Sequence, residues 1–306
     1  MHEVFWDALI DTGKMVPLLL VIYIGIELIE YRFGHKIISL VQKAGTAGPA
    51  VGAIAGSLPQ CGVSVIATAL YTQRLATIGT LLAVYLATSD EALPVILSQP
   101  DHAEIILPLI LTKILIALIA GYALDLMFRK SKEATLMHIS AFARGEDDVH
   151  HHHETIMDQA ACCGHSTSAS ARNFNPREIF LHPALHTIKI FVFIFAISLL
   201  INTVIYHLGE EALGRLFLGN TPLQPFFAAL LGLIPNCAAS VGIAELYLKG
   251  VISYGSMIAG LCASAGLGLL VLIREEKQKK ESLKILAILF SISVLSGSLI
   301  NYFLSR

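Results

Sequence analysis

Apolar residues along this chain gather in blocks, and a block of about 20 is what a helix needs to cross the hydrocarbon core of a bilayer. Six segments reach that length: 13–31, 75–97, 104–128, 183–207, 251–273 and 282–303. Two further apolar regions, 45–72 and 222–248, are each cut near the middle by a proline, Pro59 or Pro235. Their halves, roughly 13 residues each, are too short to span alone at about 1.5 Å of rise per residue. Each region is therefore either one kinked span or a re-entrant helix–turn–helix hairpin.

The placement of basic residues chooses between these. Lys and Arg concentrate in short cytoplasmic connections. Here the basic connections are 32–43 (Arg32, Lys36, Lys43), 129–182 (Arg129, Lys130, Lys132) and 274–284 (Arg274, Lys277, Lys279, Lys280, Lys284). The N-terminus, 98–103 and 207–221 are poor in them, and Lys14 and Lys249 are the exceptions. If both cut regions spanned fully, 32–43 and 129–182 would lie on opposite sides. If both are re-entrant, every basic connection falls inside and both termini lie outside. The hairpin layout is the one expected.

The chain also repeats itself. SLPQCGVSVIATALY (57–71) returns as LIPNCAASVGIAELY (233–247), with Pro59, Cys61, Ser64, Val65, Leu70 and Tyr71 matched by Pro235, Cys237, Ser240, Val241, Leu246 and Tyr247, 176 residues on. TLLAVYLATSDEALPVIL (80–97) aligns in the same way with SMIAGLCASAGLGLLVLI (256–273). Span, hairpin, span, span makes three crossings per half, so the second half enters the membrane upside down. The expected fold is thus an all-α integral membrane protein built as an inverted repeat, with six full spans and two proline-broken hairpins, or ten helices counting halves. Residues 1–128 form the first membrane repeat, 129–182 a linker, and 183–306 the second repeat. Secondary transporters of this architecture hold substrate near the bilayer midplane, where the repeats meet.

Composition agrees. Of 306 residues, 55% are hydrophobic and 14% charged, with a mean hydropathy of +0.69, whereas a soluble domain carries about 25% charged residues. The five cysteines do not form the framework of a disulfide-rich domain. The opening MHEVFWDALIDTGK is acidic where a signal peptide is basic, so no cleaved leader is expected.

Candidate chemistry centres on the two cut regions. Proline suits the first helical position, so Pro59 and Pro235 are expected to begin the second half-helix of each hairpin. Free N–H groups and the positive dipole end would then point into the membrane interior. Pro59, Gln60, Cys61, Gly62 and Ser64 with Pro235, Asn236, Cys237 and Ser240 form the expected binding site. A helix N-terminus favours anions and thiolates, and thiolates suit soft metals and metalloids. Each element has a plainer reading as a proline kink or a small buried hydrophobe; the duplicated proline–carboxamide–cysteine triplet favours the site. Thr88, Ser89, Asp90 and Ser264 complete the substrate set, from helices loosened by small polar residues. Cys262 fits packing or a third soft contact equally. Asp90 and Glu27 are the coupling candidates, since acids within apolar runs are functional by default; Glu91 is a weaker one. Glu245 and Lys249 have the i, i+4 order of a surface ion pair.

The linker holds His150, His151, His152, His153, Cys162, Cys163 and His165, a composition that reads as metal-binding without the spacing of a structural zinc site.

With these residues in view the chain resembles the family of ten-helix heavy-metal exporters, whose members are described as arsenic efflux proteins or manganese transporters related to organoarsenical permeases. The resemblance rests on the paired P-[QN]-C motifs and the His-rich linker, and implies export of a metal or metalloid. The G-x-x-x-x-G-K-[ST] nucleotide signature does not occur, so transport is expected to be secondary. The partners are then the ion, the lipid bilayer and a coupling ion such as H+ or Na+, without nucleic acid; an oligomer is compatible. The expected setting is the inner (plasma) membrane, with both termini external and 129–182 cytoplasmic. No enzymatic motif and no cofactor is read. The competing reading is a secondary transporter of an organic or inorganic anion gripped by the two half-helix N-termini.

Overall fold

The computed structural model describes residues 45–59, 61–88, 92–128, 223–235, 237–276 and 279–304, with isolated helical positions at 17, 20, 21 and between 188 and 203. Every regular element among these residues is helical. In the first repeat they are α1 (Gly48–Gly56), α2 (Cys61–Thr72), α3 (Ile78–Ala87), α4 (Ala92–Leu97) and α5 (Ile106–Met127); in the second, α6 (Gln224–Gly232), α7 (Cys237–Leu248), α8 (Tyr254–Ala263), α9 (Gly266–Glu275) and α10 (Lys279–Leu304).

The repeat read from one motif extends through the described elements. α1 and α6 each open on a proline in the first turn and close through equivalent bonds. Ser57 N–H donates to Ala53 O and Leu58 N–H to Ala55 O; Leu233 N–H donates to Ala229 O and Ile234 N–H to Leu231 O. α3 is capped by the Thr77 hydroxyl, which accepts Thr80 N–H at 3.1 Å, and α8 by that of Ser253, which accepts Ser256 N–H at 3.3 Å. The turn after α2 places Arg74 at φ 63°, and the turn after α7 places Gly250 at φ 70°. The same left-handed turn is thus made with glycine in one repeat and without it in the other.

Four helical stretches among the described residues are long and apolar enough to cross a membrane: 78–97, 102–127, 254–274 and 279–304. They fall into two classes. In their most apolar windows 78–97 and 254–274 are 93% and 78% buried, against 17% and 22% for the other two. The first pair is the centre of the molecule; the second pair turns Leu107, Leu111, Leu115, Leu283, Leu295 and Leu299 outward, as lipid-facing helices do. Both central stretches are interrupted: α3 ends at Ala87 and α4 resumes at Ala92, while α8 ends at Ala263 and α9 begins at Gly266.

Between apolar helices in lipid, close backbone approach and interhelical hydrogen bonds supply the association that burial supplies in water. Gly56 of α1 lies so near α3 that a Cβ there would come within 2.6 Å of Val84 O. Its counterpart Gly232 would meet Gly260 O at 2.1 Å. α1 packs on α3 and α3 on α5, and in the same way α6 on α8 and α8 on α10. The two repeats then interlock: α2 packs on α9, and α7 on α4. One apolar core joins Leu81, Leu82 and Tyr85 of the first repeat to Met257, Ile258 and Leu261 of the second.

Candidate functional site

Both cut regions break where the sequence places proline, but one residue pair shifts role. α2 begins at Cys61 and α7 at Cys237, each two residues after its proline. Pro59 and Pro235 thus stand in the turns before the helices and do not occupy the first helical position, which the cysteines hold. A proline in the turn still fixes φ and blocks continuation of the preceding helix. Gln60 and Asn236, and the side chains of Cys61 and Cys237, lie outside the described residues. Gly62 is half-buried, and a Cβ there would meet no described atom within 4 Å.

One turn further on, Ser64 and Ser240 are fully buried. Ser64 sits at a close crossing of the two repeats: a Cβ on Gly268 of α9 would reach its carbonyl oxygen at 2.8 Å. Beside it the Thr68 hydroxyl lies 2.7 Å from Ser64 O, 2.5 Å from the Tyr85 hydroxyl and 3.2 Å from Gly268 O. This cluster holds α2, α3 and α9 together, with side chains from the first repeat and a backbone carbonyl from the second.

The interruptions of the central helices carry the other residues expected in the site. Thr88 ends α3, its hydroxyl donating to Val84 O at 2.7 Å. Ser264 ends α8, with its N–H donating to Gly260 O at 3.1 Å. The Ser264 hydroxyl is buried without a hydrogen-bond partner among the described residues. A buried hydroxyl left unsatisfied is costly in a membrane. Cys262, two residues earlier, is a fully buried free cysteine.

The residue that sequence reading missed is Lys113, in the middle of α5. It is 1% exposed, and its ammonium donates to Leu261 O at 2.9 Å and to Thr88 O. The signal was present: a lone lysine in LPLILTKILIALIAG is a charge within a spanning helix, as exceptional as the acids that were singled out. Glu245 differs from expectation in the other direction. It is 2% exposed on α7, so it is a buried carboxyl and not the surface residue expected.

Glu27, Ser89, Asp90 and Glu91 lie outside the described residues. So do the linker residues His150, His151, His152, His153, Cys162, Cys163 and His165. Among the described residues no group of three or more His, Cys, Asp or Glu is arranged to hold a metal.

Long apolar helices, two of them interrupted inside the core, define a multi-pass membrane protein with irregular backbone at depth, which is tolerated where protein or a water-filled cavity surrounds it. The chain belongs to the family described as "Putative, 10TM heavy-metal exporter", which matches residues 1–174 and 175–305. The two matched regions meet at residues 174 and 175, within the segment expected to be a linker. No curated protein and no solved structure matches the chain.

Proposed function

We propose that this protein is a secondary transporter that exports a heavy metal or metalloid, an arsenic species or manganese, through a site between two inverted repeats. The observation that carries the reading is that Cys61 and Cys237, 176 residues apart, each open the second helix of a broken hairpin. Two thiol-bearing residues at helix N-termini have the electrostatics that favour thiolate and so a soft ion. The Ser264 hydroxyl, buried and unpartnered at the break of α8, adds a polar contact. In this reading α1–α2 and α6–α7 are re-entrant and meet near the midplane, and Gln60 and Asn236 bring carboxamides that donate or accept. The His- and Cys-rich linker collects ions on the cytoplasmic side. A hard ion such as manganese would rest instead on carboxylates, with Asp90, Glu91 and Glu27 as its contacts.

A second reading is transport of an anion held by the backbone N–H groups at the starts of α2 and α7. What favours it is that the two helix starts are duplicated, each standing two residues after a proline. Efflux measured with everted membrane vesicles against manganese(II), arsenite, trivalent methylarsenical and a panel of organic anions separates the two. Accumulation of a metal or metalloid supports the first, and of an organic anion alone the second.

A further inference from the structure

Lys113 stands where two interrupted helices end. At the end of α8, Ala265 N–H turns back to Ala263 O at 3.0 Å, which leaves Leu261 O without the i+4 donor that a continuing helix would supply. Thr88 O lies just beyond the last residue of α3. Two carbonyls, one from each repeat, thus converge at the negative ends of their helix dipoles, and the Lys113 ammonium bonds to both. Unwound carbonyls and half-helix C-termini are the groups that bind Na+ or H+ in transporters with broken helices. Position 289, the equivalent of 113 in the second repeat, is Leu289, so the charge is supplied once for both halves.

We propose that Lys113 is a built-in cation. Its ammonium occupies a carbonyl site between the repeats that would otherwise take a free monovalent cation, and it makes the carrier independent of Na+ and K+. The side chain also ties α5 to the ends of α3 and α8, so those helices need no bound metal to stay in register. Truncation to alanine exposes the carbonyls and turns the site into one for Na+, K+ or ammonium. This deepens the transport reading, since it names the cation that the broken helices hold.

The test is thermal unfolding of the purified full-length protein in detergent, with N-methylglucamine, sodium, potassium or methylammonium as the only added cation. The wild type is expected to melt at one temperature in all four. Lys113→Ala is expected to melt lower in N-methylglucamine by about 5 °C or more, and to recover at least half of that loss, saturably, with one of the smaller cations. Lys113→Met, whose stem still fills the space, is expected to melt low and to gain nothing. If Lys113→Ala yields folded protein only when purified in a smaller cation, that result supports the proposal equally. A wild type stabilised by sodium or potassium overturns it. So does a Lys113→Ala protein that is as stable as the wild type in N-methylglucamine, or one that no cation restores. The readout needs no transported substrate, so failure here leaves the metal-export reading to its own experiment.

Discussion

Asp125, on α5, accepts the backbone N–H of Gly79 at 3.0 Å and so closes the start of α3 from the neighbouring helix. Its other oxygen accepts the Thr77 hydroxyl at 3.1 Å. One repeat later Asn301 Oδ1 accepts Gly255 N–H at 3.0 Å and the Ser253 hydroxyl at 2.9 Å. The second repeat thus does with a neutral amide what the first does with an acid. Asp125→Asn should therefore cost little, within about 1 kcal/mol, the loss of a charge near a helix N-terminus. Asp125→Leu should cost about 2–4 kcal/mol, since two buried donors lose their acceptor. Melting temperatures of both variants in detergent check this; equal losses would mean that the hydrogen bonds are not what Asp125 supplies.

Two glycines, one in each hairpin, should respond in opposite ways. Gly232→Ala drives a methyl group into the Gly260 carbonyl, and overpacking of this kind costs about 1–3 kcal/mol. Gly62→Ala meets no described atom and should leave the melting temperature unchanged. A larger residue there, Gly62→Leu, should lower transport without lowering stability, because it enters the space beside the start of α2. Parallel measurement of melting and vesicle efflux distinguishes a packing glycine from one that keeps a path open.

The proposed hairpin layout would put the linker inside the cell and both termini outside. A single cysteine introduced near His150 in a background lacking the native linker thiols should resist a membrane-impermeant maleimide in whole cells and react after permeabilisation. Ready labelling in whole cells would mean that the two cut regions span, and that the repeats are not inverted in the proposed sense.

The fold was legible wherever apolar length and proline carried it. The breaks at Pro59 and Pro235, the spans expected at 104–128 and 282–303 and the loosening at Thr88 and Ser264 all follow from composition along the chain. Proline's position was read one step too strongly: it ends the first half-helix, and the cysteine two residues on begins the next. What sequence did not give was the partner of each polar residue. Thr68 and Gly268 are distant in sequence and meet only because α2 crosses to α9. Lys113 is visible in the sequence as a charge within a spanning helix, but its partners are not, since backbone carbonyls of two other helices leave no mark in a sequence. Glu245 was misplaced because i, i+4 spacing with Lys249 reports neighbourhood on a helix and not whether the helix faces outward.

The central claim is that Cys61 and Cys237 act together on one soft ion. Vesicle efflux of arsenite by Cys61→Ser, Cys237→Ser and the double variant tests it most directly, since serine keeps size and polarity and removes the thiolate. The account predicts that each single change weakens apparent affinity by about 10-fold or more, judging by the effects of even outlying partners of a metal. The double variant should lose about as much as the worse single one, because ligands of one ion are not additive. Backbone N–H groups survive these changes, so near-normal efflux by the double variant, with wild-type expression and melting, would contradict the thiolate site and leave the anion reading in its place.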